Sequence, residues 1–159
     1  MLKVGDQLPP FELQNQEGLI RRNSDYTGKW LILYVYPKDD TPGCTLQGQS
    51  FSAMKDRFAQ AGAQIVGVSA DDVESHKNFC RKYSLAVELL ADPDARLLNA
   101  LGVGQSEYKG MKYWDRTTFI VDPAGVIRRV YEKVNPQGHE QDLIQALDKL
   151  QSDPSLATT

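Results

Sequence analysis

The sequence predicts an α/β fold, a mixed central sheet flanked by helices and opened by an amino-terminal β-hairpin. Three observations carry this. LILYVY (31–36) is a continuous β-branched and aromatic run, and QIVGVSA (64–70) has the same buried character, the pattern of strands covered on both faces of a sheet. Each run leads into a stretch with apolar residues at helical spacing. Finally, TTFIV (117–121) and VIRRVY (126–131) flank the turn Asp122-Pro123-Ala124-Gly125, as in a terminal hairpin.

Taken in order, Phe11 to Ser24 reads as a hairpin around the turn residues Asn15 to Gly18. LILYVY is closed by Pro37, and beyond Thr41-Pro42-Gly43 the residues Phe51, Met54, Phe58 and Ala61 mark one face of a helix that stops near Gly62. After the second buried strand, Asp71-Asp72 offers a cap for a helix from Val73 to about Tyr83. LAVELLAD (85–92) reads as a short strand, and Asp92-Pro93-Asp94 can cap a helix that Gly102 ends. Gly102 and Gly104 read as a flexible loop, since they follow a helical pattern and not the strand a dinucleotide fingerprint requires. From Gly138 to Leu150 the spacing of Leu143, Ile144, Leu147 and Leu150 is helical. Residues 1–150 are thus expected to form one domain, with 151–159 as a frayed tail. Strand order within the sheet does not follow from these patterns.

The totals narrow the function. A chain of 159 residues with a net charge of -3 has the size of one compact domain, and its charges are scattered without a basic block, so a nucleic-acid partner is not expected. No apolar run approaches the roughly 20 residues that span a bilayer, and the amino terminus lacks a secretory pattern. Two cysteines with no CxxC and no zinc spacing fit a reducing compartment such as the cytoplasm.

Cys44 falls where a helix begins, just past the carboxyl end of a buried strand. Uncapped N–H groups and the helix dipole favour an anion there, which would turn a thiol into a nucleophile. The competing reading is a small buried packing residue. Thr41 adds a hydroxyl three residues earlier, and Pro42-Gly43 keeps the approach narrow. Asp39-Asp40 would oppose a thiolate, so both are expected to face solvent or a cation.

YPKDDTPGCT (36–45) resembles the active-site signature of the peroxiredoxins, in the form used by the peroxiredoxin Q or bacterioferritin-comigratory subfamily, of the atypical two-cysteine type. VGDQLPPFEL (4–13) and RTTFIVDPAGVI (116–127) also resemble family segments, in the expected order. The resemblance implies a thioredoxin-like fold and reduction of hydrogen peroxide or organic hydroperoxides by Cys44, recycled by a thioredoxin-like dithiol. It implies no metal or organic cofactor. Thr41 and Arg116 would take the roles of the family's threonine and arginine, Pro37 would shield the site, and the Gly43 amide would help hold substrate. An expected monomer comes from the same source.

Two positions depart from the family. Many subfamily members carry a second cysteine five residues after the first, where this chain has Gln49, and the family's glutamate three residues on is Gln47. The resemblance therefore points to Cys80 as the resolving thiol, forming a disulfide with Cys44 after local unwinding. Trp114 is expected to wall an apolar hydroperoxide pocket, with core packing as its alternative. A metal site of Cys44, His76, Cys80 and His139 is disfavoured because the tight ligand pairs are missing and His139 reads as exposed. The remaining alternatives are a thiol-disulfide oxidoreductase, which would lack the neighbouring thiol that releases a mixed disulfide, and a non-catalytic binding module.

Overall fold

A computed structural model describes residues 1–152. In chain order, β1 (Glu12–Asn15) and β2 (Ile20–Arg22) form a hairpin, and β3 (Trp30–Val35) leads into α1 (Pro42–Gln60). β4 (Ala63–Ser69), α2 (Val73–Tyr83), β5 (Glu88–Ala91) and α3 (Arg96–Leu101) follow. A second hairpin, β6 (Gln105–Tyr108) and β7 (Met111–Trp114), precedes β8 (Thr117–Val121), β9 (Ile127–Tyr131) and α4 (His139–Ser152). Seven strands make one sheet in the order β2-β1-β5-β4-β3-β8-β9. β3, β4 and β5 run parallel, while β1 and β8 join this block antiparallel on either side. The mixed sheet and its flanking helices are as the sequence predicts.

Period-two alternation divides the core. Ile32 and Tyr34 of β3 face a layer built with Phe51 and Phe58 of α1, Phe79 of α2, and Leu143 and Leu147 of α4. Leu31, Leu33 and Val35 point the other way, toward Leu97, Leu98 and Leu101 of α3. Gly67 in the middle of β4 makes room for this arrangement. A Cβ there would lie 2.7 Å from the Tyr34 ring and 2.8 Å from a Leu89 methyl.

The caps behave as expected. Asp72 accepts from Ser75 N at 2.8 Å, and Asp92 accepts from Arg96 N and Leu98 N at 3.0 and 2.9 Å. Gly102 and Gly104 lie in the connection after α3, and the sequence patterns do not predict the β6–β7 hairpin that follows. Its tight turn puts both Lys109 (φ 51°) and Gly110 (φ 78°) in the left-handed region, as a two-residue hairpin turn requires. Of the expected tail, Gln151 and Ser152 are the last residues of α4, and 153–159 lie outside the described residues. No helix among the described residues is long and apolar enough to cross a membrane.

His139 corrects the sequence reading. It is 5% exposed, sits edge-on to the Tyr131 ring and shares a 2.9 Å hydrogen bond with the Thr118 hydroxyl. Burial pushes its pKa down to about 4. The unfolded chain takes up this proton near pH 6.5 while the folded chain refuses it until about pH 4, so stability falls as pH drops through that window. Denaturant titrations at several pH values should show the fall. A His139→Leu variant should flatten its upper part, between about pH 6.5 and 5.5, and an unchanged slope there would refute this assignment.

Candidate active site

The chain leaves β3 through Tyr36 and turns at half-buried Pro37. Asp40 adopts φ 59°, which reverses the chain so that Thr41 reaches the N-cap position of α1 with Pro42 behind it. Pro42 carries no N–H and a preset φ, which suits a first helical turn. Thr41 does not cap the helix with its side chain. Its hydroxyl donates instead to Lys38 O at 2.9 Å. The first-turn amides of Gly43 and Cys44 are therefore left to the dipole end of α1 without a side-chain acceptor. Since the Thr41 proton is committed to Lys38, its oxygen remains available as an acceptor.

Cys44 is 2% exposed and packs into the Tyr34, Phe51 and Phe79 layer. Hydrocarbon does not wall it off from charge. Arg116, just before β8, lies against Gly43 so closely that a Cβ there would fall 2.5 Å from its Nη2. The same guanidinium donates from Nη1 to Gln47 Oε1 at 3.0 Å. Arg116 thus touches α1 on both sides of Cys44, at the residue before it and one turn after it. Gly43 serves as the residue that lets the guanidinium approach.

Cys80 lies on α2, half-buried and unpaired, and packs against the same layer as Cys44. Burial first, and then the Asp39 carboxylate, push its thiol up to about 11. Tyr34 senses both sulfurs. Its phenol is held well above its ordinary range by burial, then by Cys44 and Cys80, so it stays protonated beside them.

A buried polar cluster that the sequence did not announce joins the loop before Cys44 to the helix of Cys80. Asp39 accepts from the Tyr36 hydroxyl at 2.6 Å and the Ser75 hydroxyl at 2.8 Å, and its Oδ2 lies 2.7 Å from His76 Nδ1. His76 Nε2 lies 2.8 Å from Leu90 O, which only accepts, so Nε2 carries a proton. A further proton then lies between Nδ1 and the carboxylate. Next door, Asp40 accepts from Lys82 Nζ at 2.8 Å and from the Tyr83 hydroxyl at 2.6 Å. Asp40 meets a cation as expected, whereas Asp39 is buried against His76 instead of facing solvent. The only sequence hint was the pairing of an acidic dipeptide with a histidine four residues before Cys80.

Asp39, Asp71 and His76 are close enough to share a cation, but the facing atoms are already engaged, since Asp71 Oδ2 accepts from Asp39 N and from Ser69 Oγ. The four-residue metal set does not assemble, because His139 faces Thr118 and Tyr131 while His76 faces Asp39. Trp114 is also placed differently. It packs on the layer of Leu33 and Val35, across the sheet from the Cys44 layer, so the alternation of β3 separates it from the sulfur. A cavity of about 710 Å³ lies between Lys29, Lys55, Gln64 and Glu88 and includes none of Thr41, Cys44 or Arg116.

The chain as a whole is similar to known proteins. The AhpC/TSA family model fits residues 4–130. Peroxiredoxin Bcp of Bacillus subtilis is 36% identical over 152 residues, covering 92% of this chain and 95% of that protein. Peroxiredoxin Bcp of Xanthomonas campestris is 41% identical over 125 residues, covering 77% and 78%. Among solved structures, a cysteine-to-serine mutant of Xylella fastidiosa PrxQ superposes with a TM-score of 0.90 at 32% identity, covering 96% of this chain and 99% of that one. The Xanthomonas campestris bacterioferritin comigratory protein, studied for alkyl peroxide reduction, gives 0.81 at 35% identity, covering 87% and 90%. With its thiol at a helix start, its arginine beside it and this likeness along nearly the whole chain, the protein belongs to the AhpC/TSA family, among the peroxiredoxins of the Bcp and Q kind.

Proposed function

We propose that in this thiol-dependent peroxidase Cys44 is the attacking sulfur, Arg116 and the first-turn amides of α1 hold the peroxide, and Cys80 resolves the product. The thiolate of Cys44 attacks one peroxide oxygen in line. An S–O bond forms, the O–O bond breaks, sulfur gives up two electrons, and the other oxygen leaves as an alkoxide or hydroxide that takes a proton. Arg116 and the Gly43 and Cys44 N–H groups supply fixed donors for the charge on the oxygens, while Thr41 accepts the O–H of the hydroperoxide. The observation that carries this reading is the guanidinium lodged against Gly43 and bonded to Gln47, either side of Cys44. Pro37, half-buried at the end of β3, limits water beside the sulfur.

Cys80 then attacks the Cys44 sulfenic acid, forming the S–S bond and releasing water. With its thiol near 11, only about one in 10⁴ is thiolate at pH 7 in the folded arrangement. Its nucleophilicity must be released by motion. Unwinding of α2 into solvent removes the burial and distances Asp39, the two causes that raise it. A thioredoxin-type dithiol reduces the disulfide. Organic hydroperoxides and hydrogen peroxide are the proposed substrates, in line with the alkyl peroxide reduction activity named for the Xanthomonas relative. We place the enzyme as a monomeric single domain over residues 1–150, in the cytoplasm, with neither nucleic acid nor membrane as partner. The monomer follows the family resemblance, the nucleic-acid reading the scattered charge, the membrane reading the lack of a long apolar run, and the cytoplasm the two cysteines without a disulfide framework.

Intact mass after one equivalent of peroxide tests the scheme. Wild type should lose two hydrogens, whereas Cys80→Ser should gain one oxygen and turn over slowly with a dithiol. Normal turnover by Cys80→Ser, with the sulfenic acid as the wild-type end product, would remove Cys80 from the reaction.

A further inference from the structure

Gln47 carries a donor that the fold does not use. Its side chain is buried, 1% exposed, and its Oε1 is taken by Arg116, yet its Nε2 has no hydrogen-bond partner. The amide is not simply reversed, because a guanidinium only donates and so fixes the oxygen toward itself. Buried N–H groups are rarely left unpaired, and those that are call for a specific explanation.

The helix places this donor on the Cys44 side of α1. Gln47 is one turn beyond Cys44 on the buried face of α1, with Gly48 and Phe51. Helical side chains lean toward the amino terminus, so that of Gln47 lies back over the turn that starts at Cys44. Arg116 marks the same place, since its Nη2 lies against Gly43 while its Nη1 holds Gln47. No ion pair of Arg116 occurs among the described residues, so the neutral amide leaves its charge uncompensated by a carboxylate.

We propose that Gln47 is a catalytic residue whose Nε2–H donates to the hydroperoxide as Cys44 attacks it, joining Arg116 in holding the oxygens while the O–O bond breaks. The inference rests on the reading of Cys44 as the attacking thiolate. A glutamate at this position holds Arg116 equally well but cannot donate when ionised. The glutamine adds a donor and removes a negative charge from beside the sulfur.

The test compares two reactions of one thiolate by rapid mixing, oxidation by hydrogen peroxide and alkylation by iodoacetamide, which has no O–O bond. Gln47→Glu keeps an acceptor for Arg116 and Gln47→Met keeps neither acceptor nor donor. The ratio of peroxide to alkylation rate should fall about tenfold or more in both, as for loss of one oxyanion donor. An unchanged ratio in both variants overturns the proposal, since any change then acts through the thiolate or packing alone. A ratio retained in Gln47→Glu and lost in Gln47→Met also overturns it, making Gln47 an anchor for Arg116. Should Gln47→Met fail to fold, the Gln47→Glu ratio decides. If wild-type Cys44 alkylates but is not oxidised by peroxide, the fault lies in the underlying reading of Cys44.

Discussion

Cys44→Ser is expected to bring peroxide consumption down to the level of buffer, a loss on the order of 10⁴-fold or more. The reason is twofold. A hydroxyl is almost entirely protonated near neutral pH, and an alcohol oxygen cannot take up a second oxygen as sulfur does. The substitution is nearly isosteric, and the site around it is held by contacts that do not involve the sulfur, namely Arg116 to Gln47, Thr41 to Lys38 and Asp39 to His76. The variant should therefore fold like the wild type. Stopped-flow peroxide consumption with a dithiol donor, checked by circular dichroism for folding, measures the effect. Substantial residual turnover in a well-folded variant would move the chemistry away from α1.

The largest stability effect should come from Asp39→Ala. It strips partners from His76, Tyr36 and Ser75 at once, in a place where His76 is 0% exposed. Removing one member of a buried pair costs about 3–5 kcal/mol, because the other is left desolvated without compensation. In a chain of this size that corresponds to a melting temperature lower by roughly 10 °C. His76→Leu should cost a similar amount, and the double variant should cost clearly less than the two together, since the partners are removed jointly. Additive losses in thermal and urea unfolding would show that the two residues do not act as a pair.

Much of the architecture is legible in the chain because local rules and burial agree. LILYVY and the IVGV centre of QIVGVSA are runs without charge and with β-branched or aromatic bulk, so they become the inner strands β3 and β4. Asp72 and Asp92 cap the helices they precede because their carboxylates reach the first-turn amides. Where the reading fell short, the deciding interaction was distant in sequence or polar. β6 and β7 are largely exposed, Tyr108 and Met111 included, so they give no burial signal, and only Lys109-Gly110 marks their turn. The Asp39–His76 contact joins residues 37 apart, so neither neighbourhood reveals it. His139 resembled a surface residue among Gly138 and Glu140 until Tyr131 and Thr118 covered it.

At the site, the position of Cys44 and the proximity of Arg116 were legible through motif resemblance, while the direction of hydrogen bonding was not. Thr41 gives its proton to Lys38, an outcome set by loop geometry. Trp114 was misplaced for a related reason. An aromatic residue near Arg116 in sequence can point to either side of the sheet, and packing chose the side away from the sulfur.

The pairing of β3 with β8 along Leu31–Val121 to Val35–Thr117 has a consequence for biosynthesis. Arg116 reaches Gly43 and Gln47, either side of Cys44, only once this pairing exists, and its strands are separated by about half of the chain's length. A growing polypeptide that has emerged only as far as α2 already carries both sulfurs but lacks the guanidinium that would awaken the first. On the proposed roles of Cys44 and Arg116, the nascent thiol is expected to react slowly with peroxide until translation passes β8. Fragments cut short before residue 116 should likewise carry sulfur without peroxide reactivity.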